Sequence, residues 1–441
     1  MGAGVLTAPF PRVDGQLVAG AFPLSELAER FGTPLYVYDL EHIEARYRAF
    51  DQAFADIDHL IAYSVKANGN LAILHRLGRL GAGADIVSLG ELHRALRAGI
   101  PPEKIVFAGV GKTEEELRAG LEAGIHVFNV ESRGELERLD AVASAMRIKA
   151  PFAVRVNPDV VSPTFHEYTA TGHAETKFGV PIEETYELYR WARGRPWLQA
   201  RGIDVHIGSQ ILEPKPYFEA LSRVVGMVPK LRAEGDRLEF VDIGGGYGVP
   251  YNEEPRMIME DLANVILPLV RTAELTLILE PGRFIVGEAG VLLTRVEYTK
   301  RVNDKWFVIV DGGMSDLIRP SHYEAYHAIE PVAMPGARPI EVVDVVGPIC
   351  ESGDFLARAR PLDLPEPGEL LAVRTAGAYG FAMASNYNAR RRPAEVLVEG
   401  EQVHVVRTRE TLEDLMRGES IPWEAPADGR AAPRPTHSDR G

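Results

Sequence analysis

A lysine closes an apolar run of this chain, in Tyr63-Ser64-Val65-Lys66-Ala67-Asn68. At the end of a buried strand its ammonium would be partly desolvated, which eases deprotonation and attack on an aldehyde carbon. Other polar residues recur at comparable places, inside or just past short apolar runs: Asp85 and Ser88, Asn129 and Glu131, Arg155 and Asn157, His206 and Ser209. The turn Gly244-Gly245-Gly246 offers several unobstructed backbone N–H groups, which suits a phosphate. Glu280, in Glu280-Pro281-Gly282-Arg283, ends the apolar run TLILE, where an unpaired carboxylate is costly, so it needs a partner. Arg283 or Arg155 would serve, and so would the protonated nitrogen of an aromatic cofactor ring. His206, central in GIDVHIGS, is either a core histidine or a flat ring laid against a cofactor, with Ser209 beside a phosphate.

The elements that would hold these residues repeat. Short β-branched runs at 60–66, 84–88, 104–109, 126–130, 152–157, 202–208, 239–245 and 276–282 each precede an amphipathic stretch such as NLAILHRLGRLG. About eight strand-helix units closes a TIM-type barrel, whose active sites gather at the C-terminal ends of the strands. An open doubly wound sheet is the competing fold, but Gly244-Gly245-Gly246-Tyr247-Gly248 lacks the third glycine of a dinucleotide fingerprint. After Arg283 the pattern turns to period-two alternation, in VLLTRVEYTKRV, KWFVIVDGG, IEVVDVVGPIC, ELLAVRTAGAYG and PAEVLVEGEQVHVVRT, with a turn expected at Asn303-Asp304. The expectation is strands over 1–37 that join a β domain, a barrel over 38–287, an antiparallel β domain over 288–420 and a disordered tail over 421–441.

Composition sets limits. With 441 residues, 46% hydrophobic and 25% charged, a large core is available, and a formal charge of −15 argues against a nucleic-acid surface. No apolar run is long enough to span a bilayer and the opening MGAGVLTAPFPRV lacks leader and myristoylation patterns, so a cytoplasmic protein is expected. The single cysteine, Cys350, excludes a multi-cysteine metal site, and no metal is expected.

The β-rich part carries a second polar group: Arg319 and Tyr323 in SDLIRPSHYEAYH, Cys350 and Glu351 in GPICESGD, and Tyr379 in TAGAYG. Together they offer a proton donor, a cation for a distal carboxylate and an acid for a distal ammonium. That combination suits a small amino acid polar at both ends.

YSVKAN, GADIVSLGEL, RVNPDV, KFGV, HIGSQ, DIGGGYG, EPGRFIVGEAG, DLIRP, GPICESGD and GAYG occur in an order that resembles the fold-type III pyridoxal-phosphate-dependent decarboxylases, the diaminopimelate-cleaving branch most closely. The resemblance implies an alanine-racemase/ornithine-decarboxylase-like fold, a TIM-type barrel with a β-rich second domain. It implies pyridoxal 5′-phosphate bound through Lys66, with Asp85, Arg155, His206, Ser209, Gly244, Gly245, Gly246, Glu280, Pro281, Gly282, Arg283 and Tyr379 around it. Arg283, Arg319, Tyr323, Glu351 and Tyr379 would grip the substrate, and Cys350, donated across a homodimer, would protonate the product. The implied reaction converts meso-2,6-diaminopimelate to L-lysine and carbon dioxide. Decarboxylation of ornithine, arginine or lysine, an amino-acid racemase, and a non-catalytic cofactor-binding homologue are the alternatives. Two stretches depart from the family pattern: Val161-Ser162-Pro163-Thr164-Phe165, usually richer in histidine, and Met314-Ser315-Asp316, where asparagine usually replaces the serine.

Overall fold

The computed structural model describes residues 8–160 and 177–423, so the departure at Val161–Phe165 and most of the expected tail lie outside the described residues. Among the described residues eight parallel strands form the barrel: His59–Ser64, Gly83–Ile86, Ile105–Phe107, Val127–Val130, Ala150–Asn157, Leu198–Val205, Phe240–Asp242 and Thr276–Leu279. Each pairs with the next, and the eighth pairs with the first, Leu277 opposite His59, which closes the cylinder. Ala62, Val106, Val127, Ala153, Phe240 and Ile278 fill its interior, while a larger apolar cluster lies between strands and outer helices.

Several helices start directly after a strand because the intervening residues cap them. Ser88 accepts a hydrogen bond from the Glu91 N–H and begins Leu89–Arg97; Ser132 does the same for Glu135 at Arg133–Met146. Thr113 and Glu116 form a reciprocal capping box before Glu114–Ala123. Such short strand-to-helix connections bring the polar residues of successive strand ends to one rim of the barrel.

A second sheet is built around Leu35–Asp39. This strand runs antiparallel to Gly290–Val302 and parallel to Ala394–Glu399, so it joins early, middle and late parts of the chain. The turn at Asn303-Asp304 forms as expected, between paired Val302 and Lys305. The sheet is mixed, whereas the alternation suggested an antiparallel one. Lys305–Val310 runs parallel to Ile340–Val346, and a parallel pair needs a long crossover. That crossover carries the short helix Arg319–Tyr323 back towards the barrel rim. A further strand, Phe355–Asp363, escaped notice because Arg358, Arg360 and Pro361 interrupt its alternation; it lies at the sheet's edge, where such residues are tolerated. Arg12–Val13, Gln16–Ala19 and Phe22–Pro23 form their own three-stranded sheet, which packs Leu17 and Ala19 against Leu35, Val37 and Val291.

Candidate active site

The rim opens into a cavity of about 190 Å³ lined by Ser64, Lys66, His206, Gly208, Ser209, Gly245, Gly246, Glu280, Gly282, Arg283, Arg319, Tyr323 and Tyr379. Residues from both ends of the chain's pattern meet here: strand ends of the barrel on one side, the crossover helix and the Tyr379 turn on the other. The Tyr379 N–H donates to the Ala67 carbonyl at 2.8 Å, which ties the turn to the segment carrying Lys66.

Lys66 sits two residues past the first strand, in the single turn Val65–Ala67, and its Nζ donates to Asp85 Oδ2 at 2.7 Å. Burial alone would lower its pKa, but the charges of Asp85, Glu280 and Tyr379 outweigh burial and raise it above the usual lysine value. This reverses the expectation of an ammonium made acidic by desolvation. An isolated sequence run does not show the carboxylate that the next strand places opposite it. Ser64 Oγ bridges the same Asp85 oxygen, at 2.8 Å, and the Glu280 carbonyl, at 3.0 Å.

Glu280 is buried, and neither Arg283 nor Arg155 pairs with it. Arg155 donates to Glu131 at 3.1 Å and stands over the Phe178 ring, away from the cavity lining. Arg283 donates to Ser209 Oγ at 3.0 Å and to the Tyr251 hydroxyl. Glu280 Oε1 is left buried without a hydrogen-bond partner. Burial, followed by the charges of Asp242, Asp85 and Asp204, raises the Glu280 pKa well above the usual carboxylate range.

His206 Nδ1 accepts from the Gly245 N–H at 3.1 Å, so that nitrogen carries no proton. Burial first, then the positive Arg155 and Lys66, hold the ring's pKa well below its usual value, and the imidazole is neutral. Gly244 has φ of +68°, and a Cβ on it would stand 2.5 Å from His206 Nδ1. A Cβ on Gly245 would strike the Glu280 carbonyl oxygen at 2.2 Å. The glycines are therefore needed where the turn passes between the histidine and the eighth strand.

Arg319 is buried; its Nε donates to His327 Nε2 at 3.3 Å, and its guanidinium lies 5.2 Å from the centre of the Tyr251 ring. A second cavity of about 320 Å³ shares Arg283, Arg319 and Tyr323 with the first and continues to Gln210, Asn252, Glu324 and Tyr326. The Pro281 carbonyl accepts from the Ser64 N–H at 3.1 Å, a backbone role. Cys350 and Glu351 are exposed and outside both cavities; Glu351 accepts from the Tyr387 hydroxyl at 2.9 Å and the Cys350 N–H donates to Asn388.

Ser64, Asp242, Tyr251 and His327 were not singled out from the sequence. For Asp242 the signal was available: an acid inside EFVDIGG raises the same question of a buried carboxylate as Glu280. Tyr251 and His327 lie in irregular segments where nothing in the local pattern marks them.

A cofactor with a phosphate, an aldehyde and a ring nitrogen fits this set. The open glycine turn and Ser209 match the first, the Lys66 amine the second, and the orphaned Glu280 Oε1 the third. Residues 40–287 match the family described as pyridoxal-dependent decarboxylase, pyridoxal binding domain, and the chain belongs to the pyridoxal-dependent decarboxylases. Relatives at 44–52% identity are diaminopimelate decarboxylases. The chain is 52% identical to the diaminopimelate decarboxylase of Pseudomonas aeruginosa, over 92% of this chain and 98% of the relative. It is 50% identical to that of Aquifex aeolicus, over 91% and 95%. The crystal structure of diaminopimelate decarboxylase from Helicobacter pylori complexed with L-lysine matches with a TM-score of 0.86 at 43% identity, over 89% of this chain and 98% of that one. A lysine/ornithine decarboxylase from Vibrio vulnificus, at 23% identity and TM-score 0.76, shares the fold.

Proposed function

We propose that this protein decarboxylates meso-2,6-diaminopimelate to L-lysine and carbon dioxide with pyridoxal 5′-phosphate, as a cytoplasmic homodimer. The observation that carries the reading is one cavity with Lys66 and Glu280 on its barrel side and Arg283, Arg319 and Tyr323 on the other. When bound, the cofactor supplies an electron sink for the pair left as carbon dioxide departs. Lys66 Nζ is the amine that would hold the cofactor through its aldehyde. Glu280 holds a proton at the ring nitrogen, and neutral His206 supports the ring's face. Ser209, Gly245, Gly246 and the Arg283–Tyr379 side of the cavity enclose the phosphate and the reacting centre.

Arg319 and Arg283 hold the distal carboxylate, and the adjoining 320 Å³ cavity gives the distal arm room. Glu351 of the partner subunit receives the distal ammonium, and the partner subunit's Cys350 returns a proton to the α-carbon. Two observations support the dimer. Cys350 and Glu351 lie outside their own chain's cavity, and Tyr298, Val302, Ile340 and Val342 expose apolar surface on the second sheet. Ornithine, arginine or lysine would end in a cation, which two buried arginines repel.

The test is carbon dioxide release from meso-diaminopimelate, ornithine, arginine and lysine, with and without pyridoxal phosphate. Cofactor-dependent release from diaminopimelate, at least about 100-fold above the other three in kcat/KM, is expected, since leaving an arginine unpaired costs about 3 kcal/mol. Preference for ornithine, arginine or lysine would refute the substrate assignment. Gly244→Ala is expected to weaken cofactor binding about tenfold, read as the visible absorbance regained on titrating apoenzyme, because the new methyl displaces His206.

A further inference from the structure

Below the glycine turn the barrel buries four acids, Asp85, Asp204, Asp242 and Glu280. Asp242 has no task in the reaction above, and it sits at a junction. Asp242 ends the seventh strand opposite Ile278, two residues before Glu280 on the neighbouring strand. The backbone pairing continues past both, with the Glu280 N–H donating to the Gly244 carbonyl at 2.9 Å. The two acids therefore rise from adjacent strands on the same side of the sheet.

Each Asp242 oxygen has its own donor. Oδ1 accepts from the Gly244 N–H at 2.9 Å and Oδ2 from Asn129 Nδ2 at 3.1 Å. The Glu280 carboxyl rises beside it from the next strand, and the charge of Asp242 raises the Glu280 pKa, which favours a proton shared between the two acids. An acid that only capped the turn would account for the Gly244 contact and leave the Asn129 contact and the neighbouring acid unexplained.

We propose that Asp242 is a positioning residue for Glu280: clamped by Gly244 and Asn129, it fixes Glu280 with one oxygen left for the cofactor's ring nitrogen and joins that acid to the phosphate turn. Burial raises the Asp242 pKa to about 6, which favours keeping the shared proton in the pair. The inference rests on the reading of Glu280 as the partner of the ring nitrogen.

The test uses holoenzyme loaded with pyridoxal phosphate labelled with ¹⁵N in the ring, comparing Asp242→Ala, Asp242→Asn, Asn129→Ala and Glu280→Gln. Asp242→Ala is expected to lower kcat about 100-fold, the scale of a small misplacement of a catalytic group, with KM within about threefold. Its ¹⁵N resonance should move towards that of an unprotonated ring, and cofactor dissociation should quicken about tenfold, since the turn loses its anchor. Asp242→Asn keeps an oxygen for Gly244 and a donor for Glu280, so it should recover the wild-type dissociation rate and about tenfold of the lost kcat. If Asp242→Ala does not fold, Asn129→Ala decides, with about a tenfold fall in kcat and the same direction of resonance shift expected. A wild-type resonance in whichever of these two variants decides, or an Asp242→Ala loss confined to KM, would overturn the inference, provided that Glu280→Gln is impaired. A wild-type resonance and kcat in Glu280→Gln would instead overturn the reading of Glu280 and the inference built on it.

Discussion

Lys66→Ala is expected to abolish the visible absorbance of the holoenzyme and to lower carbon dioxide release by on the order of 10⁴-fold, the upper range for removing a group that both bonds and transfers protons. Among the described residues Lys112 also buries its ammonium, but it is committed to the Gly109 and Asn129 carbonyls and to Glu135, so it is no substitute. A retained absorbance in folded Lys66→Ala would show that another amine carries the cofactor. The Asp85 contact adds a pH dependence. Cofactor loading needs the neutral amine, and Asp85, Glu280 and Tyr379 together outweigh burial to raise the Lys66 pKa. The charged form therefore persists through neutral pH, and the loading rate of apoenzyme should climb as pH rises from 7 to 9. A rate that is flat or falls over that interval would contradict the ion pair with Asp85.

Mixing two inactive variants is expected to restore activity. Cys350→Ala should lower turnover by on the order of 10² to 10³-fold, the effect of losing one proton donor, while the visible absorbance stays intact. Lys66→Ala is inactive for a different reason. If each site combines Lys66 of one chain with Cys350 of the other, random reassociation of equal amounts gives half heterodimers, each with one intact site, or about one quarter of wild-type activity. Restoration is ruled out if both residues serve the same site from one chain, so a mixture with no gain after confirmed subunit exchange would refute the shared site. The exposed Cys350 and the Tyr387–Glu351 hydrogen bond place this loop at the surface, outside its own chain's cavity.

Much of the barrel was readable because its signals are local. An apolar run, a polar residue at its end and an amphipathic stretch after it recur along the barrel, and they predict a strand, a rim position and a helix. The same logic found Lys66, His206, the glycine turn and Glu280. What escaped depends on neighbours remote in the chain. The sign of the Lys66 shift is set chiefly by Asp85 across the strand pair, and the two arginine partners expected for Glu280 failed because Arg155 is taken by Glu131 and Arg283 by Ser209 and Tyr251. The edge strand Phe355–Asp363 was hidden by the residues that suit an edge, and the mixed direction of the second sheet is a matter of crossover, which alternation does not encode.

The strand Leu35–Asp39 has a consequence for how the molecule is made. Its two neighbours are Gly290–Val302 and Ala394–Glu399, so it waits, newly synthesised, for partners that are made much later. The barrel can close once Thr276–Leu279 has emerged from the ribosome, but the central strand of the second sheet stays open on one edge until Ala394–Glu399 has followed. That edge is apolar and unpaired in the meantime, which makes the late stage of synthesis the window in which this protein most needs a chaperone or a slow, uncrowded release.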